Sequence, residues 1–356
     1  MGERIFVQGN EAVGWGAISA GCFSFFGYPI TPQNEITEFA AREFPKRGGV
    51  FVQSQAETAS INMVFGAAAA GVRVMTSTSS PGWRLMQEGT SYICSAEVPV
   101  VVVLVQRGGP GGGNTRQAQM DYISATKGGG GGGYKNIVLA PASVQETHDL
   151  MQLAFYLADK YRNLVIVLSE ALIGQVSESL ELMKLDFGPL PEKDWAIVGT
   201  EQRKSGKRSF INGTTPHANY VDYLCHLREK YQQMESEVRH EEYMTEDAEL
   251  ILVAFGYCAR VSKEAVNMAR AQGLKVGLLR PITLWPFPSK AILEKTEKGC
   301  KFLVVEDNLG QMVDDVKAAV ECRSEVHLAD VTCRHLRTHM GIIMPSNVRA
   351  KIKELV

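Results

Sequence analysis

The chain has 356 residues, which at roughly 150 residues per domain predicts two domains. It carries 37 Lys and Arg against 39 Asp and Glu, so its net charge is −2. This balance argues against a nucleic-acid-binding protein, because phosphate binding needs a concentrated basic face, and the densest basic run, at residues 203–208, is interpreted as a solvated loop. The longest apolar stretch, residues 99–105, is too short to cross a bilayer, and the N-terminus has no secretory core. We therefore expect a soluble, cytoplasmic protein that binds neither nucleic acid nor membrane.

Seven cysteines are scattered along the chain without a single Cys-x-x-Cys pair. An odd, dispersed set indicates reduced thiols that serve as small apolar residues, and it argues against a disulfide framework, a zinc site or an iron–sulfur ligand set. Any iron–sulfur cluster with which this protein works must therefore be bound by another chain.

Short apolar runs alternate with segments of helical spacing up to about residue 190. The predicted strands are residues 51–55, 72–78, 100–106, 137–140 and 164–169, and the predicted helices are residues 57–70, 83–95 and 144–160. The third strand is continuously apolar from Val100 to Val105, as expected when helices cover both faces of a strand. The pattern predicts a largely parallel sheet between two layers of helices.

Residues 191–246 interrupt this alternation with prolines, a polar basic loop and a helix. Apolar side chains recur along that helix at spacings of three and four, which places them on one stripe: Tyr220, Leu224, Leu227, Tyr231, Met234 and Val238. Two interpretations stay open, a helix packed on its own domain and an arm that reaches over a partner subunit.

The alternation resumes in a smaller unit after residue 247. Its predicted strands are residues 250–255, 275–279, 302–305 and 326–329, and its predicted helices are residues 261–271, 289–298 and 310–321. The predicted fold is α/β, with two parallel-sheet domains at residues 1–190 and 247–356 joined by a helical arm at residues 191–246.

The first segment that could carry chemistry is Tyr28-Pro29-Ile30-Thr31-Pro32. Thr31 followed by Pro32 predicts a helix start, because a threonine hydroxyl caps an unpaired amide and proline suits the first helical position. A hydroxyl beside a helix N-terminus can also hold a carboxylate.

Glu57 lies where a predicted strand meets a predicted helix. In parallel-sheet folds this edge is where ligands bind, so Glu57 is a candidate site residue. A glutamate in a first helical turn is also favoured merely because its charge complements the helix dipole.

Arg107 follows the most apolar strand and begins a glycine-rich loop that runs to Asn114. A guanidinium can bind a carboxylate through two parallel hydrogen bonds, and the glycines allow a substrate to approach the backbone. The loop lacks the endings of a phosphate-binding P-loop and of a dinucleotide fingerprint. A second run of six glycines, at residues 128–133, lacks these patterns as well and predicts a mobile loop.

Taken together and in order, these segments resemble the 2-oxoacid:ferredoxin oxidoreductases, in particular the subunit that carries the thiamine pyrimidine-binding domain. The matching stretches are residues 9–12, 28–35, 55–71, 78–82, 107–110, 139–146, 279–288 and 306–311. The resemblance covers nearly the whole chain. Gln33-Asn34 and the arm at residues 217–242 are most similar to the 2-oxoisovalerate branch, and the 2-oxoglutarate branch is next.

The resemblance implies a thiamine diphosphate enzyme whose cofactor is shared with a partner subunit. It places Glu57 against N1′ of the aminopyrimidine, where proton exchange makes the 4′-amino group basic enough to deprotonate the thiazolium carbon. It places Tyr28 and Pro29 at the cofactor and Thr31 near the 1-carboxylate of the substrate. Arg107 is the candidate for charge pairing with that carboxylate.

The resemblance also implies which parts other chains provide. This chain contains no Gly-Asp-Gly motif and no cluster ligands, so Mg²⁺ and [4Fe-4S] clusters are expected on partner subunits. The expected partners are a thiamine-diphosphate-binding β-type subunit, a γ-type subunit and a ferredoxin-like subunit. Coenzyme A is the expected co-substrate, and ferredoxin is the expected electron acceptor.

Two departures from the family pattern stand out. Family members often have His and Asp within the run that is all glycine here, at residues 128–133, and Arg84 stands where a small or apolar residue is expected. Arg84 is interpreted as a surface residue, although contact with a second substrate carboxylate would favour 2-oxoglutarate. The alternatives to the leading hypothesis are a non-oxidative thiamine enzyme subunit, of decarboxylase or transketolase type, and a silent assembly protein, against which an intact Glu57 counts.

Overall fold

Two largely parallel sheets organise the chain in the computed structural model, which describes residues 3–199, 201, 217, 219–330, 332 and 341–356. Strands β1 to β8 are Glu3–Gln8, Ser24–Gly27, Val50–Gln53, Met75–Ser79, Val100–Gln106, Ile137–Leu139, Leu164–Glu170 and Ser177–Leu182. Helices α1 to α7 are Gly9–Ser19, Asn34–Glu43, Glu57–Ala69, Ser80–Ser95, Tyr122–Thr126, Val144–Tyr161 and Ala171–Gln175. There follow α8 Tyr220–Met234, β9 His240–Tyr243, β10 Leu250–Val253, α9 Gly256–Arg270, β11 Val276–Pro281, β12 Thr283–Trp285, α10 Ser289–Glu297, β13 Lys301–Val305, α11 Met312–Ala319, β14 Val326–Ala329 and α12 Pro345–Lys353.

The first sheet has seven strands in the order β12-β6-β7-β5-β4-β2-β3, and all neighbours are parallel except β12 and β6. Strand β5 lies at its centre with every residue buried. Val100, Val102 and Leu104 belong to one apolar core, whereas Val101, Val103 and Val105 belong to another on the opposite face. The continuous apolar run thus arises because both faces are covered, as predicted.

The second sheet has five strands in the order β14-β13-β10-β11-β9, and only the edge strand β9 is antiparallel. A separate ribbon pairs β1 with β8. The predicted α/β architecture of two parallel-sheet units is therefore confirmed.

The chain crosses between the two units more than the predicted division implies. Strand β12 lies within the range assigned to the second domain, yet it is an edge strand of the first sheet, and β9 lies within the predicted arm but pairs with β11. The domain boundaries at residues 190 and 247 stay predictions.

Helix α8 packs against its own domain. The Tyr223 hydroxyl donates to the main-chain oxygen of Ser95 over 3.1 Å, and Lys230 Nζ lies 3.1 Å from Glu97 Oε1, where His226 Nε2 also contacts the carboxylate. These contacts favour the first of the two interpretations of this segment. The predicted stripe was partly wrong, because Tyr220 and Leu224 are exposed and the buried positions are Tyr223, Leu227, Lys230 and Met234.

Six of the seven cysteines lie in the part of the chain that the structure describes, and these six are free thiols. Four are buried, and burial raises the pKa of Cys22 and of Cys94 to about 12, which keeps both thiols protonated. The basic run at residues 203–208 and Cys333 lie outside the described residues. In the described ranges, every helix is too short or too polar to span a bilayer.

Candidate functional site

The predicted site residues gather at one edge of the first sheet. Strands β2, β3, β4 and β5 are parallel neighbours, so their carboxyl ends meet at this edge. Tyr28 and Thr31 follow β2, Glu57 follows β3, and Arg107 follows β5. The segment that begins α4 follows β4 and completes the group.

Glu57 is the first residue of α3, and its side chain is turned inward. Ser54, which connects β3 to α3, donates its main-chain N–H to Gly27 O over 2.9 Å and its hydroxyl to Ala56 O over 2.9 Å. This turn fixes the start of the helix and leaves Glu57 only 5% exposed. No described residue donates a hydrogen bond to its carboxylate, so a nearly buried acceptor is left for a group from outside the chain.

The Glu57 carboxylate lies against the first turn of α4. A Cβ atom at Gly82 would lie 2.4 Å from Glu57 Oε1 and 2.2 Å from Thr78 Oγ1, closer than van der Waals contact allows. Only glycine therefore fits at position 82 while the carboxylate keeps this place. The Glu57 carboxylate therefore packs directly against the first turn of α4.

The prediction that Thr31 caps a helix was wrong. Helix α2 begins at Asn34 with Gln33 as its N-terminal flanking residue, and Thr31 is exposed in the preceding turn. The reason is a set of contacts that sequence spacing does not reveal. Buried Gln33 donates to Tyr28 O over 3.1 Å and accepts from Ser77 Oγ over 2.5 Å, so the turn closes before the helix starts.

Arg107 lies beside Thr31. Its Nη1 donates to the main-chain oxygen of Thr31 over 2.8 Å, and its Nη2 donates to Gly112 O over 2.7 Å. Burial, and then the nearby charge of Arg84, lowers the pKa of the Arg107 guanidinium. Both carbonyl contacts are neutral, so neither of them neutralises the charge of the guanidinium.

Arg84 is exposed, in agreement with its interpretation as a surface residue, but it contacts the same glycine-rich loop. Its Nη1 donates to Gly111 O over 2.5 Å. Two guanidinium groups therefore approach one short loop, which raises the positive potential at this edge of the sheet.

Ser80 and Asp121 lie next to Arg107 at this edge of the sheet, although neither was predicted as a site residue. The main-chain N–H of Arg107 donates to Ser80 Oγ over 3.0 Å, and the Ser80 hydroxyl contacts the Asp121 carboxylate. Burial raises the pKa of Asp121. These residues are far apart in sequence, and no local motif links them, so only the fold brings them together.

The run at residues 128–133 packs against α4. Gly129 N donates to the Tyr134 hydroxyl over 3.0 Å, and Gly130 N donates to Gln87 Oε1 over 3.3 Å. Gly128, Gly131, Gly132 and Gly133 have positive φ angles. Backbone geometry and close approach explain these glycines, whereas the predicted mobility of the loop stays a prediction.

Two buried carboxyl groups lie behind the site, where the two sheets meet. Glu170 ends β7 and accepts hydrogen bonds from Gln119 Nε2 over 2.9 Å, from Gln117 Nε2 over 3.2 Å and from the main-chain N–H of Tyr257. The Tyr257 hydroxyl donates to Asp307 Oδ2 over 2.6 Å. Burial raises the pKa of Glu170 to about 8 and that of Asp307 to about 7.

We expect these carboxyl groups to make the fold less stable as the pH rises from about 5 to 8. A folded-state pKa above the ordinary value means that the folded chain binds the proton more tightly than the unfolded chain. The stabilising contribution of each carboxyl group is therefore complete below its ordinary pKa. It decreases as the pH rises and is gone once the pH has passed the folded-state pKa. Thermal unfolding of wild type and of Glu170→Gln between pH 5 and 8 tests this, and a smaller fall of Tm is expected in the variant. An identical fall in both proteins would contradict it.

Known protein families and individual relatives match the chain along most of its length. The family model "Pyruvate flavodoxin/ferredoxin oxidoreductase, thiamine diP-bdg" matches residues 15–245, and "Pyruvate:ferredoxin oxidoreductase core domain II" matches residues 248–336. The ketoisovalerate oxidoreductase subunit VorB of Methanothermobacter marburgensis is 52% identical over 98% of this chain and 97% of its own length. The 2-oxoglutarate synthase subunit KorA of Methanothermobacter thermautotrophicus is 36% identical over 92% of this chain and 94% of its own length.

Two solved structures show the same architecture. The 2-oxoglutarate:ferredoxin oxidoreductase from Magnetococcus marinus, with 2-oxoglutarate, coenzyme A and succinyl-CoA bound, matches with a TM-score of 0.85 and 28% identity. The match covers 99% of this chain and 65% of that chain, so this chain is similar to one part of a longer polypeptide. A split-gene transketolase, an inactive β4 tetramer, matches with a TM-score of 0.61 and 16% identity and shows the fold alone.

Proposed function

The chain belongs to the family of 2-oxoacid:ferredoxin oxidoreductases, and we propose that it is the thiamine pyrimidine-domain subunit of an enzyme that oxidatively decarboxylates 2-oxoisovalerate. The products are the corresponding acyl-CoA, CO₂ and reduced ferredoxin. The single observation that carries the site assignment is the nearly buried Glu57 carboxylate, which has no donor among the described residues.

Thiamine diphosphate, when bound, supplies the carbon nucleophile and the electron sink that decarboxylation of a 2-oxoacid requires. The role of this chain is to hold a carboxyl group that can exchange a proton in a fixed position. Gly82 and Thr78 confine the Glu57 carboxylate at the sheet edge, and the inward turn at Ser54 excludes most water from it. A carboxyl that is positioned in this way can exchange a proton with an aminopyrimidine nitrogen. Tyr28 and Pro29 lie at the same edge and are proposed to line the cofactor.

Substrate orientation is assigned to the pair Thr31 and Arg107. The Arg107 guanidinium already bridges the turn that contains Thr31 and the glycine-rich loop, so a carboxylate that enters there meets a positioned cation and a hydroxyl. Charge-assisted contacts of this kind orient a 2-oxoacid by its 1-carboxylate and leave the remainder of the molecule free to face a partner chain.

The other cofactors are proposed to lie on partner subunits. The chain has no Gly-Asp-Gly motif for Mg²⁺ and diphosphate, and its cysteines are dispersed, so we assign Mg²⁺ and [4Fe-4S] clusters to a β-type and a ferredoxin-like subunit, with a γ-type subunit completing the complex. Free thiols among the described cysteines support a cytoplasmic location. The non-oxidative alternative is not favoured, because VorB, which is 52% identical, is named a ketoisovalerate oxidoreductase subunit, and the matching solved structure from Magnetococcus marinus is named a 2-oxoglutarate:ferredoxin oxidoreductase.

The substrate is tested with the native complex, purified without oxygen. Reduction of a viologen dye is measured with 2-oxoisovalerate and with 2-oxoglutarate, with coenzyme A present. A higher kcat/KM with 2-oxoisovalerate is expected. A higher value with 2-oxoglutarate would assign the enzyme to the other branch, and release of CO₂ without dye reduction would establish the non-oxidative alternative.

Replacing Arg107 with methionine is expected to raise the KM for the 2-oxoacid. One hydrogen-bonded contact to a charged group is worth about 2 kcal/mol, which corresponds to roughly 30-fold in kcat/KM. Steady-state kinetics of the complex with Arg107→Met measure this. Arg116→Met is the matched control, because Arg116 is an exposed arginine of the same loop. An equal loss in both variants would exclude a specific role for Arg107.

A further inference from the structure

The loop that carries Arg107 has little structure of its own. It comprises residues 107–121, between β5 and α5, and is called the Arg107 loop below. A single isolated bridge pairs Gly108 with Asn114, and Gly108 N donates to Arg116 O over 3.2 Å. A loop of this length that has no regular strand pairing depends on contacts with other segments to keep one conformation.

The second domain supplies those contacts at the far end of the Arg107 loop. Gln119 N donates to Asp307 O over 2.8 Å, and Asp307 N donates to Gln119 Oε1 over 3.1 Å. Asn308 Nδ2 donates to Gln119 O over 2.9 Å. The Gln119 side chain, fully buried, also donates to Phe255 O over 3.0 Å. Every polar group of Gln119 is thus engaged, most of them by the second domain.

The turn that receives Gln119 is itself held rigidly. It comprises residues 306–311 and is called the Asp307 turn. The buried Glu306 carboxylate accepts from the main-chain N–H groups of Gln311 over 3.0 Å, Met312 over 2.8 Å and Val313 over 3.1 Å. It therefore satisfies unpaired amides at the start of α11 and fixes the Asp307 turn to that helix.

Further hydrogen bonds join the Asp307 turn to residues next to Gln119, and together with those of Gln119 they are called the clamp below. Gln311 Oε1 accepts from Ile123 N over 2.9 Å, and Gln311 Nε2 donates to Met120 O over 2.9 Å. At the near end, Asp121 N donates to Gln106 Oε1 over 3.0 Å, which ties the two ends of the Arg107 loop together. The Asp307 turn is therefore hydrogen-bonded directly to the far end of the Arg107 loop.

From this network we infer that Gln119 is a positioning residue through which the second domain fixes Arg107 for the substrate carboxylate. The inference rests on the proposed role of Arg107. Gln119 does not touch the substrate; it sets the place of the guanidinium that does. The second domain is thereby part of the substrate site, although Arg107, Thr31 and Glu57 all lie in the first.

The test compares Gln119→Ala with wild type in the complete complex. We expect kcat/KM for the 2-oxoacid to fall roughly 10-fold, the scale of one lost buried hydrogen bond, mainly through a higher KM, with the KM for coenzyme A unchanged. Hydrogen exchange at amides 108–116, measured by mass spectrometry without substrate, is expected to increase. Unchanged exchange together with an unchanged KM would overturn the inference.

Glu146→Gln is the matched control for a merely structural effect. Glu146 of α6 pairs with Arg280 of β11, with Nη1 at 2.8 Å from Oε1, so its loss weakens the same domain interface away from the Arg107 loop. We expect a lower Tm with the KM for the 2-oxoacid unchanged. If Glu146→Gln raises that KM as Gln119→Ala does, domain contact in general is responsible and the inference is wrong.

A double variant separates the inference from the function on which it rests. In the Arg107→Met background, Gln119→Ala is expected to lower kcat/KM for the 2-oxoacid little further, because both changes act through one guanidinium. Additive losses would refute the inference, whereas wild-type kinetics of Arg107→Met alone would refute the role of Arg107. Should Gln119→Ala fail to assemble, Gln311→Ala at a half-buried position removes two contacts of the same clamp. This variant is expected to raise the KM for the 2-oxoacid and the hydrogen exchange of amides 108–116, both by less than Gln119→Ala does. A KM and an exchange rate equal to those of wild type would overturn the inference.

Discussion

Replacing Glu57 with glutamine is expected to lower the turnover of the complete complex at least about 100-fold, the usual scale for removal of a positioned acid–base group. Glutamine keeps the size and shape of the side chain but cannot exchange the proton. The Glu57 side chain is only 5% exposed and has no donor among the described residues, so its carboxyl group is available for proton exchange with a bound cofactor. Dye reduction with saturating 2-oxoacid and coenzyme A measures the loss.

The matched control for this experiment is Glu38→Gln. Glu38 lies on the exposed face of α2, and the same chemical change there is expected to leave turnover within about two-fold of wild type. Near-wild-type turnover of Glu57→Gln would refute the acid–base role, and with it the reason for assigning thiamine chemistry to this edge of the sheet.

Replacing Gly82 with alanine is expected to lower kcat on the order of 100-fold, because a displacement of about 1 Å in a catalytic group can cost that much. The added Cβ would lie 2.4 Å from Glu57 Oε1 and 2.2 Å from Thr78 Oγ1. The flexible Glu57 side chain is the group that yields most readily, so its carboxylate moves away from its place. Kinetics of the complex, with Tm as a measure of folding, provide the test.

A double variant shows whether Gly82 acts through Glu57. Glu57→Gln has already lost the proton exchange, so a further displacement of the position 57 side chain by Gly82→Ala removes no additional acid–base catalysis, and the double variant is expected to be no slower than Glu57→Gln. Multiplied losses would indicate instead that alanine distorts α4 as a whole.

The architecture was predictable because it follows from burial. Strand β5 has a continuous apolar run since apolar cores cover both its faces, and that pattern needs no knowledge of the rest of the chain. The order of elements then implied parallel sheets, and the predicted family, fold and activity class are confirmed by the relatives and by the solved structures.

Elements that depend on distant contacts were not predictable. Helix α1 was missed because its small residues pack on all sides, as where a Cβ at Gly14 would lie 2.0 Å from the Phe39 ring. Strand β12 consists of three residues between prolines and exists only because β6 offers it an edge. In α8 the buried stripe includes Lys230, whose ammonium is paired with Glu97, so an apolar pattern alone identified only part of the buried face, Leu227 and Met234.

The charged residues of the candidate site could be proposed from the sequence, whereas the residues that hold them in place could not. Glu57, Thr31 and Arg107 were assigned from their places after strands and from the family resemblance, and the fold brings Arg107 to Thr31. Gln33, which displaced the expected Thr31 cap, acts through Tyr28 and Ser77. Such hydrogen bonds join residues distant in sequence and leave no local pattern.

The most direct measurement of the central claim is the distance from a Glu57 carboxylate oxygen to the N1′ atom of thiamine diphosphate in a structure of the complete complex. We predict a hydrogen bond of about 2.6–3.2 Å, with the cofactor seated between this chain and its partner. A cofactor bound elsewhere, or a Glu57 carboxylate that faces solvent, would contradict the account.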